Sequence, residues 1–292
     1  MSLILALDLG GTHLRAGLAA GAVADVRPVG RWPAPRDLAA FRAHVGEIAA
    51  ANGPIARVGV AVPGLTEGPR CRWIPNLPWL DGVDLADLVP GAELALGNDS
   101  QLALLAEATQ GAATRLNDAI LLSIGTGIGS AVLADGRIVK GAQSGACSFG
   151  WACADWTDPG HPNDGWLERV AAGRALDALA AKALGAADGA RLIAAARAGD
   201  DKALAAIAKP AAAIGTALAG AVALLDPQAV LITGGVASSL DALAPQLLAA
   251  MRRHLPSHLK GVDIRAGRFG GSAALIGAAI AGAAGADWRR VR

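Results

Sequence analysis

Twice in this chain an apolar run stops at a cluster of glycines and then resumes as a second, looser run. Leu3-Ile4-Leu5-Ala6-Leu7 breaks into Asp8-Leu9-Gly10-Gly11-Thr12 and resumes over residues 13–19. Residues 119–124 break into Gly125-Thr126-Gly127-Ile128-Gly129 and resume over residues 130–133. Short apolar runs punctuated by glycine read as buried strands, and strand, glycine turn, strand reads as a hairpin. The second turn is no Walker loop, because no lysine follows it. It is no dinucleotide fingerprint either, because the GxGxxG spacing is absent and the segment continues as a strand. The chain is therefore expected to be α/β, with two halves that open alike as strand, glycine-rich hairpin, strand, strand and helix, and with a cleft between them.

The remaining segments fit that plan. Residues 23–31 form a candidate third strand, and residues 37–51 carry helical spacing at Leu38, Phe41, Val45 and Ile48. Residues 57–62 read as a strand running into Pro63-Gly64, and residues 65–82, rich in Pro, Gly and Trp, as a loop. Leu94-Ala95-Leu96 reads as a buried strand that ends in Gly97-Asn98-Asp99-Ser100, with a helix over residues 100–111. After the second opening come an Asp135-Gly136 hairpin turn, a returning strand over 138–140 and an irregular loop over 141–165. Helices are expected over 165–184 and much of 203–225, with Pro210 starting or kinking the latter. A strand over 230–233 ends in Gly234-Gly235, a helix runs on to residue 254, residues 262–265 form a short strand, and a last helix starts near Gly271.

Composition narrows the function. Apolar residues make up 53% and charged residues 17%, which excludes a disordered chain. The 26 basic and 25 acidic residues are spread along the sequence and leave a net charge of +1, so no basic stripe grips a phosphodiester backbone and no nucleic-acid partner is expected. Cys71, Cys147 and Cys153 form neither a CxxC nor an even framework, which points to a reducing cytoplasm. Met1-Ser2 leads straight into an apolar strand with no basic leader. Residues 269–286 lack charges, but Ala and Gly dominate them, so a closely packed buried helix is expected there and no membrane span. Glycine is the outlier, at 38 of 292 residues against a usual ~7%. Many glycines are expected at strand ends, where backbone turns tightly or approaches a ligand.

The chemistry gathers at the glycine turns and at Asp99. Amides of a tight turn point at anions, and Thr12 can add a hydroxyl. A carboxylate such as Asp8 suits a phosphate site when Mg²⁺ stands between them; the alternative is an ordinary hairpin closed by an Asx turn. LITGGVA follows a strand and precedes a helix, which suits close backbone approach to a base or an α-phosphate, or else a plain tight turn. Asp99 at a strand end can accept a proton from an attacking hydroxyl and orient it. Asn98 can bond a neighbouring hydroxyl in both senses. Both side chains can equally cap the helix that follows.

These motifs, in this order, resemble the ROK family of sugar kinases within the actin-like ATPase superfamily. The resemblance covers nearly the whole chain and rests on DLGGTHLRAG, GVAVPGL, IPNLPWLDG, GNDSQLALLAE, LLSIGTGIGSAVLADGRIVKG, GWLERVAAGRAL and LITGGV. It implies a two-domain actin-like (ribonuclease H-like) fold with a cleft between the domains. A smaller domain would comprise residues 1–105 and 272–292, and a larger one residues 106–271. It also implies that Asp8, Gly10, Gly11 and Thr12, with Gly125, Thr126 and Gly127, hold the phosphates of ATP. Asp8 would meet Mg²⁺ through water, and Gly234 and Gly235 would lie by the nucleoside. The sugar would meet Gly64, Asn76, Asn98, Asp99 and Glu168, the last of which could otherwise be a solvated helix carboxylate. Family members often form homodimers.

Two departures from the family pattern stand out. Many members carry Glu-x-Gly-His after the second hairpin, with both side chains on the sugar; here Ser148 and Trp151 occupy those positions in GACSFGWACAD and become the expected contacts. The family's zinc site needs that histidine and a run of cysteines. This chain offers Cys153, with Trp166 where the last cysteine would fall and His161 in a loop, so no structural zinc is expected. Repressor relatives carry a DNA-reading extension, for which no room is expected before the strand at Leu3. The combined expectation is a cytoplasmic, ATP- and Mg²⁺-dependent glucokinase-like hexose kinase. Its alternatives are a kinase for a non-glucose sugar, amino sugar or cyclitol and, in another class, a sugar-binding sensor that kept the fold.

Overall fold

The computed structural model describes residues 3–20, 25–146, 148–235, 237 and 240–291. Expectations that touch residues 1–2, 23–24, Cys147 or Val236 therefore lie outside the described residues in those parts. The chain divides into two compact units. One comprises Met1–Arg115, Ala131–Ala146 and Ser272–Arg292; the other comprises Leu116–Ser130 and Cys147–Gly271.

The first sheet contains β1 (Leu3–Leu9), β2 (His13–Ala20), β3 (Arg27–Pro33), β4 (Ile55–Val62) and β7 (Glu93–Asn98), in the order β3-β2-β1-β4-β7. The second contains β8 (Ala119–Ile124), β9 (Ile128–Ala134), β10 (Arg137–Ile138), β11 (Ala229–Thr233) and β12 (Asp263–Ala266), in the order β10-β9-β8-β11-β12. Strand for strand the two orders are the same. The first strand of each sheet is central, its hairpin partners lie to one side, and two parallel strands lie to the other. The duplication read from the two glycine turns is thus present in the topology. The β9–β10 turn uses Asp135 and Gly136 at φ 49° and 69°, the left-handed pair that a tight hairpin of this hand requires.

Among the described residues eight α-helices accompany the sheets: α1 (Leu38–Asn52), α2 (Asp99–Gln110), α3 (Trp166–Ala171), α4 (Gly173–Leu184), α5 (Gly189–Arg197), α6 (Asp201–Leu225), α7 (Leu240–Arg253) and α8 (Ala273–Ala284). The starts of α1, α5 and α6 are set by Asp37, Asp188 and Asp200, whose carboxylates accept the amides of Ala40, Arg191 and Ala203. In the first unit, Phe41, Val45 and Ile48 of α1 pack with Leu5, Leu7, Val58 and Val60 into one buried cluster. On that sheet α8 also lies against β1 and β4, and α2 lies against α8.

Several local expectations need correction. Asp8 and Leu9 belong to β1, not to the turn, because Asp8 keeps its ladder partners on both sides, Arg15 of β2 and Ala61 of β4. Residues 65–82 are not all loop: β5 (Leu65–Glu67) and β6 (Arg70–Trp73) form a small hairpin, followed by a 3₁₀ turn over Pro78–Leu80. The helix expected over 165–184 is two helices, broken where Ala172 is extended. Pro210 does not start α6; it lies inside it, buried. Helix α5 had no counterpart in the sequence reading.

The charge-free stretch near the end forms a helix of 12 residues, and all but a few of its side chains are buried. Among the described residues the helix with the length and composition to cross a membrane is instead α6, at 25 residues. It packs against α3, α4, α5 and α7 within the second unit. The glycines also serve a purpose the sequence reading did not assign. A side chain on Gly277 of α8 would overlap the carbonyl of Leu102 in α2, and one on Gly59 of β4 would overlap the carbonyl of Ala278. Gly215 of α6 meets α7 in the same way at Leu247. These glycines let backbones approach one another in the middle of elements, not at strand ends.

Candidate active site

In the first unit, the turn between β1 and β2 is closed by Gly10 N–H donating to the carbonyl of His13 at 2.9 Å. Asp8 is 5% exposed and sits in the last part of β1. Its Oδ2 lies 2.7 Å from Arg15 Nη2 on the facing strand. The contact is an ion pair and not a well-aligned hydrogen bond. Burial raises the Asp8 pKa, and the charge of Arg15 opposes that shift.

Asp99 is the first residue of α2. Its Oδ1 accepts from the Ser100 amide at 2.7 Å and the Ser100 hydroxyl at 3.2 Å. Loss of water around the carboxyl and then the negative charge of Asp8 push its pKa up to about 6, against the Ser100 bonds. Two carboxylates, one on β1 and one at the start of α2, thus influence one another, and the second is poised to carry a proton near neutral pH. Asn98 caps α2: its Oδ1 accepts the amides of Ser100 and Gln101, and its Nδ2 donates to the Gly64 carbonyl at 3.2 Å. The amide oxygen thus serves the helix, and one N–H of Asn98 is left for another partner.

The glycines singled out in the sequence fall into two groups. Gly64 is required by packing, since a side chain there would overlap the Trp73 carbonyl. A Cβ on Gly11 would come within 3.0 Å of Asn76 Cβ, which places exposed Asn76 directly against the first hairpin. Gly127 is crowded by Glu168 Oε1, and Gly234 has φ 81° and would strike Ile124. By contrast, Gly125 and Gly235 have no heavy atom within 4 Å of a Cβ, and Gly10 has only an ordinary contact at 3.7 Å. None of these three has a positive φ. The protein's own packing does not require glycine at Gly10, Gly125 or Gly235, so what they leave open is backbone for a ligand to approach. Thr12 and Thr126 are exposed, and among the described residues no protein group meets their hydroxyls.

In the second unit, the second hairpin is braced from below. Glu168 Oε1 in α3 accepts the Ile128 amide at 2.9 Å, and the Gly173 amide at the start of α4 donates to the Gly125 carbonyl at 2.7 Å. Ser148 precedes, and Trp151 ends, a 3₁₀ turn, Phe149–Trp151, that packs on Gly165 and Glu168. Trp151 is 43% exposed. A cavity of about 310 Å³ beside the hairpin is lined by Thr126, Gly127, Glu168, Arg169, Ala172 and Arg174, among others. Arg15 and Arg174 are the residues sequence reasoning missed. Both sit inside quoted motifs, but their importance depends on strand register and helix placement.

Zinc does not fit the loop after Trp151. Cys153 Sγ is bonded to the Asp155 carbonyl, and His161 Nδ1 accepts the amides of Asn163 and Asp164. Asp158 pairs with Arg169 at 2.6 Å. Among the described residues no three candidate ligands gather. A hard divalent cation does fit Asp8, whose buried Oδ2 has a charged neighbour but no aligned hydrogen bond.

Twin five-stranded sheets of one order, each opening on a glycine hairpin, define an α/β protein of the two-domain actin-like class. Within that class the chain belongs to the ROK family, which it matches over residues 4–283. It is 31% identical, over 94% of its length, to the bifunctional enzyme NanE/NanK of Brucella melitensis biotype 1, and it spans about half (53%) of that relative. It is 29% identical to the N-acetylmannosamine kinase of Shigella boydii serotype 18, covering 94% of this chain and 97% of that one. Its structure is similar to the ROK hexokinase from Thermus thermophilus, with a TM-score of 0.79 and 30% identity over 96% of this chain and 97% of that chain.

Proposed function

We propose that this chain is an ATP-dependent kinase that transfers the γ-phosphoryl group to a hydroxyl of a hexose or an acylamino hexose. The observation that carries the reading is Asp99, a carboxyl at a strand–helix junction with its pKa near 6 and Asp8 beside it. In this reading the turn at Gly10–Thr12 and the turn at Gly125–Gly127, whose first amides close the turns themselves, each offer remaining backbone and the hydroxyl of Thr12 or Thr126 to phosphate oxygens. Gly234 and Gly235 admit the nucleoside. Asp8 would hold Mg²⁺, which when bound would neutralise charge on the phosphates. Asn76, the free N–H of Asn98 and the carbonyl side of Gly64 orient the sugar. Asp99 takes the hydroxyl proton as the new O–P bond forms and the P–O bond to the β-phosphate breaks, so that ADP leaves. The Ser100 bonds fix one oxygen of Asp99 and leave Oδ2 to face the hydroxyl.

Ser148 and Trp151 favour a substrate other than glucose. Serine is shorter and neutral where the family offers a carboxylate, and tryptophan donates one bond and accepts none. The half-exposed indole face of Trp151 suits the apolar side of a ring or an acyl group. The names of the relatives agree with this preference, because one of them is an N-acetylmannosamine kinase. We read the protein as a cytoplasmic homodimer, which light scattering on the purified chain checks.

The test is kcat/KM with ATP for glucose, mannose, fructose, glucosamine and N-acetylmannosamine, in wild type, Asp99→Asn and the double variant Ser148→Glu, Trp151→His. Turnover of at least one sugar by wild type is expected, with a loss of ~10² or more in Asp99→Asn and a shift toward glucose in the double variant. Wild-type turnover in Asp99→Asn would remove the base assignment. A strong glucose preference that the double variant leaves unchanged would remove the rebuilt pocket. Sugar binding without turnover would instead indicate a sensor.

A further inference from the structure

The buried carboxylate of Asp8 is already neutralised, and by a group that the site as described does not use. Asp8 on β1 and Arg15 on β2 are register partners. The guanidinium lies 2.7 Å from Oδ2, held by charge without an aligned hydrogen bond. The Asp8 side chain is 6% exposed, whereas that of Arg15 is 37% exposed, so the arginine can leave toward solvent while the carboxylate cannot. A second carboxylate, Asp99, is close enough for its own ionisation to feel Asp8. The region therefore holds two acids against one nearby base, and Arg15 occupies the oxygen of Asp8 that a divalent cation would claim. A guanidinium and a divalent cation repel one another at a single oxygen. Arg15 is long, always charged and forked, which suits it to phosphate oxygens once it is released.

We propose that Arg15 is a displaceable counter-ion: it sits on Asp8 in the unliganded chain, yields that carboxylate to the divalent cation, and then pairs with the oxygens of the transferring phosphoryl group. This rests on the kinase reading for its second position but not for its first. On this view Arg15 is a positioning residue in the empty protein and a phosphate contact in the loaded one. It also lowers the metal affinity of the empty site, because the cation must first displace it.

The experiment measures Mn²⁺ binding by the intensity of the free-ion paramagnetic resonance signal, without nucleotide or sugar. The proteins compared are wild type, Arg15→Met, Arg15→Lys and the double variant Asp8→Asn, Arg15→Met. Arg15→Met is expected to bind Mn²⁺ ~10-fold or more tightly than wild type, since the competitor is gone. Arg15→Lys keeps a competing charge and should bind like wild type, and the double variant should lose the gain. With MgATP and sugar, Arg15→Met should lose ~10² in kcat with little change in the sugar KM. If Arg15→Met is too unstable to titrate directly, its melting temperature should rise with added Mn²⁺ while that of wild type does not. Arg15→Met binding Mn²⁺ no more tightly than wild type, or melting unchanged by it, overturns the proposal. No turnover of any sugar by wild type, together with the gain in Mn²⁺ affinity, removes the kinase reading and leaves the counter-ion in place. Full turnover in Arg15→Met overturns the second position.

Discussion

At the scale of residues, the role proposed for Asp99 would come with a cost to the fold. Its pKa in the folded chain, about 6, lies above the 3.8 of an ordinary aspartate. The folded state therefore binds this proton more tightly than the unfolded state does. The resulting stability is fully present below about pH 4 and is lost as pH rises through about 6. At pH 7.5 the ionised group weakens the fold by about 2–3 kcal/mol, since each pKa unit is worth ~1.4 kcal/mol. Asp99→Asn is thus expected to melt several degrees above wild type at pH 7.5, with the gap closing at pH 4, as scanning calorimetry would show. For catalysis the sign is opposite, because the base works only when ionised. The kcat/KM of wild type should fall about tenfold per unit below pH 6 and be level above it. An Asp99→Asn protein no more stable than wild type at neutral pH would show that the neighbours of the carboxyl accommodate its charge without cost. A conserved shape with a lost proton acceptor is then the simplest explanation of any inactivity.

At the scale of elements, the glycines divide by what stands next to them. Gly125 faces open space, so Gly125→Ala is expected to leave the melting temperature unchanged and to weaken ATP binding about tenfold by titration calorimetry, as an added methyl group meets a phosphate. Gly277 faces the backbone of α2, so Gly277→Ala is expected to cost roughly 1–3 kcal/mol or more through overpacking, with nucleotide affinity unchanged in whatever remains folded. The sequence did not separate these two kinds. Its apolar runs gave β1, β4, β8 and β11 to within two residues at either end, because strands buried on both faces are mostly apolar along their length. It did not show β5 and β6, which are three and four residues long and mostly polar, nor α5, whose buried residues are Gly189, Leu192, Ile193 and Ala196. Asp8 looked like the start of a turn because polarity marks strand ends in sequence, yet it is the ladder on both sides that decides. Arg15 could be quoted but not interpreted, since only the β1–β2 register reveals which carboxylate it faces. Glu168 was visible as an acid on a helix, but its bond to the Ile128 amide, between residues 40 positions apart, was not.

At the scale of the whole molecule, the same five-strand order occurs twice, but the chain is not cut into two consecutive halves. The last residues, Ser272–Arg292, return to the unit that holds the first. Helix α8 covers β1 and β4 there, burying Ala278, Ala279 and Ala281 against them and α2. A chain ended at Gly271 would leave that sheet face bare, so it is expected to be insoluble or to lose cooperative melting and tight near-ultraviolet circular dichroism. A soluble, cooperatively melting truncation would mean that the sheet is stable without its last helix. The aromatic content has a different consequence. The chain holds seven tryptophans and no tyrosine, so its ultraviolet emission comes from indoles alone. Trp288 is 2% exposed and emits from an apolar shell, while Trp151 and Trp156, at 43% and 95%, emit from water. Iodide therefore reaches the red edge of the spectrum first. On the proposed reading a sugar ring laid on Trp151 would shield one indole of that exposed class, and occupancy would be read optically, without a label and without turnover.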